Sequence, residues 1–566
     1  MTESNENRDR FVKPVRVVID GREITAEAGA PLLQVALDNG VEIPHYCYHP
    51  KLSIDGSCRM CQVKIEKAPK LAIACNTPVA DGMVVDTKAA EVVDARKGVM
   101  ELLLVNHPLD CPICDQAGEC YLQDYSFGHG RTESRSTSPR RKGVKRFSIG
   151  PRVVFDQERC ILCRRCVRFT KEISRTDELR VFGAGDRSRI ATSADRPLDN
   201  AYSINTADIC PVGALLSADF HHKRRVWFLE ETESVCPTCS NGCNVKIGAF
   251  KNEIQRLVPR RNDEVNDTWM CDHGRLNYAF VQDDTRLRGA IVAGREAKAA
   301  VRPAGLIDYT RDADGRVATP SGPSVDEAIA AAAASLRAAI ATYGASSVAV
   351  VLSPTLTNEE TLLLGRLVRD EIKTPHLALA IPLGLSDDFL IKPEKVANAR
   401  GARDVGIAPG EGGLDLPGIL AACASGDIKV LWVIGSGDLL AVAGLDAVEP
   451  AVGKLEALLL QDTNLSSLTD RATVVIPGCA WAEKDGSMTN HAGRVQRIRP
   501  ALRPPAGLVA DGEIFARLAS ALRGESANAT FEPRAAFAEL AKAVPSYGGL
   551  EWSSLGSRGL AAGQGA

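Results

Sequence analysis

The chain has 566 residues, of which 45% are hydrophobic and 25% are charged, and its formal net charge is −3. This composition is typical of a soluble protein of about four domains, and the near-neutral charge excludes a generally basic nucleic-acid-binding surface. The longest apolar runs are far shorter than the ~20 residues that span a bilayer, and the polar N-terminus is typical of neither a signal peptide nor a transit peptide.

The first predicted domain is small and rich in β-strands. The segment VRVVIDGREITAE predicts a hairpin that turns at Asp20-Gly21, and PLLQVALDNG predicts a helix between Pro31 and Gly40. Three later segments, CQVKIE, KLAIAC and MVVDT, predict further strands. This domain extends over residues 14–90.

Two segments follow before the next predicted domain. Residues 91–105 predict a helix that ends just before Asn106-His107-Pro108. Residues 131–146 are basic and rich in serine. They predict either a solvated linker or an arm that docks on an acidic face of a partner.

From about residue 287 the composition changes, and predicted strands alternate with helices. SSVAVVLS, IKVLWVIGSGDLL and ATVVIPG predict strands, LTNEETLLLGRLVRDEI predicts a helix with a capping box of Thr357 and Glu360, and LEALLLQD predicts a short helix. The alternation predicts an α/β fold with a parallel sheet over residues 287–504. Residues 505–566 predict a C-terminal helix and a frayed Gly/Ala/Ser-rich tail.

The cysteines are the most informative residues. There are 17, and 15 of them lie between Cys47 and Cys271. Since no secretory signal is predicted, we expect no disulfide framework, and clustered cysteines in a reducing compartment favour metal ligands. These 15 cysteines and one histidine form four groups, which we call set one to set four.

Set one predicts a 2Fe-2S site. Its spacing, C-x10-C-x2-C-x13-C, places a close pair among distant ligands, as in plant-type ferredoxins, and the surrounding strand–helix–strand pattern agrees with such a domain. Gly56 would let the backbone wrap closely around the site. Zinc is the alternative. The members of set one are Cys47, Cys58, Cys61 and Cys75.

Set two contains three cysteines and one histidine, with the spacing H-x3-C-x2-C-x5-C. Three thiolates are one ligand short of a closed site, and no unused cysteine is near in sequence. His107 is therefore a candidate fourth ligand through a neutral imidazole nitrogen. The alternative is a histidine that caps the preceding helix through the helix dipole. The members of set two are His107, Cys111, Cys114 and Cys120.

Set three predicts one 4Fe-4S cluster. It combines C-x2-C-x2-C with a later Cys-Pro, as bacterial ferredoxins do. Two-cluster ferredoxins carry a further cysteine where this chain has Thr170, so a second cluster is not predicted here. Zinc is the alternative. The members of set three are Cys160, Cys163, Cys166 and Cys210.

Set four has the spacing C-x2-C-x3-C-x27-C, which suits zinc as well as a 4Fe-4S cluster. The presence of three other sets of iron–sulfur type favours iron. Several clusters in series carry electrons one at a time and form an electron-transfer chain rather than an active site. No GxGxxG motif follows a predicted strand, so no nucleotide site is predicted. The members of set four are Cys236, Cys239, Cys243 and Cys271.

The four sets, in this order, resemble the G-subunit family of bacterial NADH:quinone oxidoreductase, respiratory complex I. The matching segments are HYCYHPKLSIDGSCRMCQVKI, NHPLDCPICDQAGECYLQD, RCILCRRCVRF with DICPVGAL, and CPTCSNGCNV with MCDHGRLNY. EKDGSMTNHAGRVQ in the later domain is also similar to the family. The resemblance covers roughly residues 14–500.

The resemblance implies α+β iron–sulfur domains followed by an α/β domain. They are a β-grasp 2Fe-2S ferredoxin-like domain at 14–90, a histidine-ligated 4Fe-4S domain at 91–130, a 4Fe-4S ferredoxin-like domain at 147–226, a molybdopterin-oxidoreductase-type 4Fe-4S domain at 230–286, an α/β molybdopterin-oxidoreductase-like domain without cofactor at 287–504, and a C-terminal helix and tail at 505–566. It also implies one 2Fe-2S cluster, two 4Fe-4S clusters in sets two and three, and a third 4Fe-4S cluster in set four.

In function, the resemblance implies an electron-transfer subunit of the peripheral arm, without a substrate site of its own. Electrons would come from a flavin- and NADH-binding subunit and pass through sets one, three and two. They would leave to a two-cluster ferredoxin-like subunit and reach quinone, with set four off the route. We expect other peripheral-arm subunits as partners, no nucleic acid, and a cytoplasmic location on the bacterial inner membrane through partner subunits alone.

Two other protein classes share this N-terminal half: the NAD-linked formate dehydrogenases and the iron-only hydrogenases. Both normally carry two clusters in the region of set three, which Thr170 argues against. The formate dehydrogenase also needs a metal-ligating cysteine downstream, yet no cysteine lies between Cys271 and Cys423. We expect Cys423 and Cys479 to be structural and no molybdopterin to be bound. A zinc-stabilised scaffold is the remaining alternative.

Overall fold

The computed structural model describes residues 13–193, 196–293, 322–526 and 528–563. The chain divides into two compact units, Met1–Leu229 and Glu230–Ala566. This division falls between the predicted domains that end at residue 226 and begin at residue 230. The finer division into six domains stays a prediction.

The first unit begins with a five-stranded sheet and one helix that shares its core. The elements are β1 (Pro14–Ile19), β2 (Arg22–Glu27), α1 (Leu32–Asp38), β3 (Gln62–Ile65), β4 (Ala72–Ile73) and β5 (Met83–Asp86), and the strand order is β2-β1-β5-β3-β4. β1 pairs with β5 in parallel and with β2 in antiparallel register. The predicted hairpin is confirmed, and Asp20 and Gly21 both have positive φ at its turn. The predicted helix after Pro31 is also confirmed.

The rest of the first unit contains short elements that carry the loops of sets two and three. They are α2 (Ala90–Leu104), α3 (Tyr121–His129), β6 (Phe147–Ser148), β7 (Val153–Phe155), α4 (Arg165–Glu172), β8 (Leu179–Phe182), β9 (Arg189–Thr192), α5 (Asn205–Asp208) and β10 (Leu215–Ser217). Helix α2 confirms the predicted helix over residues 91–105. The strands form an antiparallel sheet, β10-β7-β6, and a hairpin, β8-β9.

The basic segment 131–146 contains neither helix nor strand, as a linker would. Four of its cations form ion pairs with acidic residues of the same unit. The pairs are Arg131 with Asp94, Arg135 with Glu101, Arg141 with Asp186, and Lys145 with Asp110. These four charges are neutralised within the unit, and docking of the segment on a partner stays a prediction for its other cations.

The second unit begins with an antiparallel meander and continues into a six-stranded sheet. Its first elements are β11 (Glu230–Val235), β12 (Asn244–Phe250), β13 (Glu253–Pro259) and α6 (Asp272–Leu276). The sheet consists of β14 (Ile291–Val292), β15 (Val348–Leu352), β16 (Leu377–Leu379), β17 (Val430–Ile434), β18 (Ala457–Asp462) and β19 (Val474–Pro477), in the order β14-β19-β18-β17-β15-β16. All its pairs are parallel except that of β14 with β19, so the predicted α/β parallel sheet is confirmed.

Helices cover this sheet, and a small sheet closes the unit. The elements are α7 (Val325–Tyr343), α8 (Asn358–Arg366), α9 (Ala399–Asp404), α10 (Leu416–Ser425), α11 (Ser436–Ala443), α12 (Leu445–Val452), β20 (Gly486–Thr489), β21 (Arg494–Ile498), α13 (Asp511–Arg523), α14 (Pro533–Ala543) and β22 (Leu560–Ala561). The predicted capping box is confirmed, since Thr357 Oγ1 accepts from Glu360 N and Glu360 Oε2 accepts from Thr357 N.

Two local predictions for the second unit are wrong. LEALLLQD lies in strand β18 and not in a helix, because β17 and β19 pair with it on both sides and a short apolar run has no period that separates strand from helix. Residues 505–563 contain two helices instead of one, and the segment after them is packed: Tyr547, Leu550 and Leu555 are buried, and β22 pairs with β21. Residues 564–566 lie outside the described residues.

Buried polar groups gather in the second unit beside the carboxyl ends of the parallel strands. Ser436, after β17, donates its backbone N–H to Asp462 at the end of β18, at 2.8 Å. Lys484 Nζ lies 2.8 Å from both Glu360 Oε2 and Asp511 Oδ2. The interior of this unit is therefore held by charge pairs as well as by apolar packing.

Glu359 gives this polar interior a predicted pH dependence. Burial raises the pKa of Glu359 to about 7, although Ser487 donates to its carboxylate. The folded state therefore keeps a proton that the unfolded state releases, and stability that is full below about pH 4 is lost as the pH rises to 7. We expect Glu359 to contribute up to about 1.4 kcal/mol per pH unit to the fall in the free energy of unfolding in this window, and Glu359→Gln to remove that contribution.

Urea unfolding at pH 5, 6 and 7 would measure the slope, followed by tryptophan fluorescence because four of the five tryptophans lie in the second unit. Some slope should remain in the variant, since burial also raises the pKa of Asp462 to about 7. Equal slopes in the two proteins would contradict the assignment to Glu359.

Candidate iron–sulfur sites

The structure brings the four thiols of set one together. The Cys47 thiol is within hydrogen-bonding range of the thiols of Cys58 and Cys75, and the Cys61 thiol of that of Cys75. These contacts lower the pKa of Cys47 and Cys61. Gly56 has a φ of +65°, and a Cβ there would lie 3.1 Å from Ile73 Cδ1, so the predicted close turn is present.

Set three lines one enclosed cavity. All four of its cysteines border this cavity, together with Phe155, Ile190 and Leu215. Leu162 and Arg164 have positive φ, which winds the C-x2-C-x2-C segment tightly before helix α4. Desolvation raises the pKa of Cys163 to about 11. The site is thus a largely apolar pocket bordered by all four cysteines, which suits an insulated cluster.

Set two lies between helices α2 and α3. Cys114 is buried, Cys120 is half-buried and Cys111 is exposed. His107 follows the end of α2, and burial, with help from Arg159, lowers the pKa of this histidine to about 4. The helix-capping alternative requires a charged imidazole, whereas a metal ligand must be neutral. The lowered pKa of His107 favours the ligand.

Set four lies where strand β11 turns into β12, and Cys271 precedes helix α6. Cys236 N donates to Cys243 O at 2.8 Å, and Gly274 N donates to Cys271 Sγ at 3.3 Å. A Cβ on Gly274 would lie 2.9 Å from Cys236 Sγ and 3.3 Å from Cys271 Sγ. The two ends of this long ligand spacing therefore meet at one glycine.

The segment EKDGSMTNHAGRVQ holds the loop of set four, a role that the sequence did not reveal. Gln496 Nε2 donates to Gly242 O at 2.9 Å, and Asn490 Nδ2 donates to Asn241 O at 3.2 Å. Asn241 Nδ2 in turn donates to Cys243 Sγ at 3.1 Å. These amides fix the loop between Cys239 and Cys243.

Sets two and three are immediate neighbours. Tyr121, next to Cys120, donates its backbone N–H to the carbonyl of Pro211, next to Cys210, at 3.1 Å. Gly213 lies so close to set two that a Cβ there would be 2.1 Å from Cys114 Sγ. The loop that carries one ligand of set three thus packs directly on a ligand of set two.

Sets one and three are also neighbours, and Arg168 contacts both of them. Nη2 of Arg168 donates to the carbonyls of Cys47 in set one and Cys163 in set three. The first unit therefore places its sets in the spatial succession one, three, two. This is the order that the resemblance implies for electron flow.

Sequence reasoning missed the arginines around these sites. Arg159, Arg165 and Arg168 are buried, and each lies on or beside the C-x2-C-x2-C segment. The sequence did contain a sign of them, because four arginines, at 159, 164, 165 and 168, lie among or beside the three closely spaced cysteines of set three. Such charges are costly to bury unless an anion is nearby.

Five family models match separate segments of the chain. They are a 2Fe-2S iron-sulfur cluster binding domain at residues 12–90, an NADH-ubiquinone oxidoreductase-G iron-sulfur binding region at 96–135, the ferredoxin-like domain of NADH-quinone oxidoreductase subunit 3 at 150–216, an NDSU1/NuoG-like 4Fe-4S domain of NADH-ubiquinone oxidoreductase at 229–279, and molybdopterin oxidoreductase at 393–521. The predicted succession of fold classes is thereby confirmed.

Curated proteins similar to this chain are also subunits of NADH-quinone or NADH-ubiquinone oxidoreductase. The chain is 42% identical to the NADH-quinone oxidoreductase G subunit of Rickettsia bellii (strain RML369-C) over 264 residues, which cover 47% of this chain and 39% of that protein. It is 45% identical to the mitochondrial NADH-ubiquinone oxidoreductase 78 kDa subunit of Neurospora crassa over 263 residues, 46% of this chain and 35% of that protein. The match thus spans less than half the length of these relatives.

Among solved structures, a chain of an NAD+-reducing [NiFe]-hydrogenase in the H2-reduced state matches with a TM-score of 0.34 and 30% identity, over 38% of this chain and 91% of that one. The 2Fe-2S and 4Fe-4S domains, their order along the chain and the curated relatives all agree. The aligned part of the chain, 47% of its length, is thus similar to the G subunit of NADH-quinone oxidoreductase.

Proposed function

We propose that the chain is an electron-transfer subunit in the peripheral arm of an NADH:quinone oxidoreductase. The observation that carries the proposal is the succession of sets one, three and two in the first unit, each joined to the next by direct contacts. A relay needs redox centres placed next to one another and no pocket for a substrate. Electrons enter from a flavin- and NADH-binding subunit and continue toward quinone.

The ligands in this proposal are the 16 residues of the four sets. Set one holds a 2Fe-2S cluster, sets two and three each hold a 4Fe-4S cluster, and set four holds a third 4Fe-4S cluster. When bound, the clusters supply one-electron redox centres. The chain's own residues position the thiolates, exclude water from set three and keep His107 neutral.

Set two is the proposed point of electron exit. Cys111 is exposed, and beside it Leu109 and Ile113 are 78% and 47% exposed. Set three, by contrast, is enclosed. An exposed ligand with an apolar rim suits transfer to a partner that covers it, and the proposed partner is a two-cluster ferredoxin-like subunit.

None of the helices in the described ranges is both long and apolar enough to cross a membrane. We place the complex on the cytoplasmic face of the inner membrane through its partner subunits.

We further propose that the molybdopterin-oxidoreductase domain carries no molybdopterin. Ligands of α/β sheets bind at the carboxyl ends of the strands, and here that region contains the carboxylates of Asp438, Asp462 and Asp511. These side chains are paired within the fold, since Asp438 accepts from Ser353, Asp462 from Ser436 and Asp511 from Lys484, so they do not form a cradle of donors for the anionic phosphate and dithiolate groups of such a cofactor. Cys423 is fully buried in helix α10, where burial raises its thiol pKa to about 12, and it is no ready metal ligand.

The enzyme alternatives, formate dehydrogenase and hydrogenase, are less well supported. Thr170, where they would carry a further cysteine, is fully buried, and its hydroxyl donates to Val167 O within helix α4. Thr170 is therefore packed within a helix, and we assign a single cluster to set three.

Electron paramagnetic resonance of the dithionite-reduced chain, together with metal analysis, tests the proposal. We expect one 2Fe-2S signal and up to three 4Fe-4S signals, iron as the metal, and co-purification with a flavin-bearing subunit. Molybdenum in the preparation, or zinc in place of iron, would overturn the assignment.

His107→Cys is expected to lower the reduction potential of the set-two cluster. A thiolate in place of a neutral imidazole adds one negative charge to the site, which disfavours the incoming electron, as the higher potentials of histidine-ligated Rieske centres indicate. A redox titration of the set-two signal measures the effect, and His45→Cys serves as a matched control outside the four sets. An unchanged potential in His107→Cys would contradict the argument that the added negative charge lowers the potential.

A further inference from the structure

In the described part of the first unit, three buried arginines form no ion pair with an aspartate or glutamate: Arg96, which donates to Gln62 O, and Arg165 and Arg168, which lie at set three. The exposed fractions of Arg165 and Arg168 are 5% and 8%. Arg159, which is also buried, differs because it pairs with Asp110 at 3.0 Å and Asp156 at 3.3 Å.

The hydrogen bonds of Arg165 and Arg168 go to backbone carbonyls next to candidate cluster ligands. Arg168 donates to the carbonyls of Cys47, Cys163 and Ser53. Arg165 Nη1 donates to Ile209 O, which precedes Cys210, at 3.2 Å, and its Nη2 donates to Tyr48 O, which follows Cys47. Nε of Arg165 is buried and has no hydrogen-bond partner.

Carbonyl groups are neutral and do not balance a buried positive charge. A buried guanidinium without a counter-charge is strongly unfavourable, and a buried donor without an acceptor adds to that cost. Arg165 borders the same cavity as the four cysteines of set three. A cluster bound by set three would supply the balancing anion, because its four thiolates carry more negative charge than the iron–sulfur core carries positive charge.

We propose that Arg165 and Arg168 are the counter-charges of the set-three cluster and raise its reduction potential. The free Nε–H of Arg165 is a donor suited to a cluster sulfur. Reduction adds one negative charge to the cluster, which two nearby positive charges stabilise, and net charge and hydrogen bonds are known determinants of cluster potential. Arg168 also touches the backbone of set one, so the same charge lies on the path from set one to set three. This inference rests on the proposed function.

Redox titration of the full chain with its clusters, followed by the set-three resonance signal, tests the inference. In Arg165→Gln we expect the ratio of reduced to oxidised set-three cluster, at a fixed ambient potential, to fall at least tenfold, which for a one-electron couple is 59 mV. Arg165→Lys keeps the charge and should shift the ratio less. Arg152→Gln removes a partly exposed arginine paired with Asp199 in the same unit and should leave the ratio unchanged.

An Arg165→Gln protein that keeps the set-three signal at the unaltered potential overturns the inference. If that variant does not retain the cluster, Arg168→Gln decides: its set-three potential must also fall, and an unaltered value overturns the inference. Failure of the proposed function is distinguishable, because the unsubstituted chain would then show no 4Fe-4S signal from set three at all.

Discussion

Replacing Gly213 with alanine is expected to remove the set-two cluster while the 2Fe-2S cluster of set one stays. The new Cβ would lie 2.1 Å from Cys114 Sγ and 3.1 Å from Gln116 Cβ. Carbon atoms in contact normally stay about 3.5–4.0 Å apart, so the Cys114 thiol would have to move by more than an ångström. A ligand must keep its position to within about 0.5 Å to hold its metal site.

The effect should come from the side chain and not from backbone strain, because Gly213 is not among the glycines with positive φ. Iron content and the set-two resonance signal would measure the loss, with the 2Fe-2S signal of set one as the internal standard. Gly98→Ala is the matched control, since a Cβ there meets no atom within 4 Å and alanine favours helix α2. A Gly213→Ala protein with a full set-two signal would show that Cys114 is not a ligand at this position.

Lys484→Met is expected to destabilise the second unit by about 3–5 kcal/mol. The substitution conserves the aliphatic volume but leaves the buried carboxylates of Glu360 and Asp511 without their cation. Removal of one partner from a buried ion pair is far more costly than the pair itself is favourable. Urea unfolding followed by tryptophan fluorescence would measure the change.

The loss should be smaller at pH 5 than at pH 7.5, because buried carboxylates without a cation take up protons and become neutral. Lys246→Met is the control: its partner Glu231 is on the surface, and such pairs contribute at most about 1 kcal/mol. Equal losses in the two variants would contradict a structural role for the buried lysine.

These two residues show where sequence reasoning ended. Gly213 was visible only as part of the motif CPVGAL, and nothing in that motif names Cys114, which lies 99 residues earlier, as its neighbour. Lys484 lies in a segment that resembles the family, but its pairing with Glu360 joins residues 124 positions apart. Such contacts have no periodicity or spacing by which a sequence could indicate them.

The sequence by itself determined the features that depend on residues close together in the chain. Ligand spacing, the Asp20-Gly21 turn and the capping box of Thr357 follow from local geometry and from short motifs, and the resemblance to the family implied the succession of fold classes. The tertiary structure alone decided that LEALLLQD is strand β18, since neighbouring strands supply its hydrogen bonds. It also decided the spatial succession of sets one, three and two and the burial of Arg165 without an acidic partner. Those features depend on long-range packing, where the energy of a residue is set by neighbours that the sequence does not place beside it.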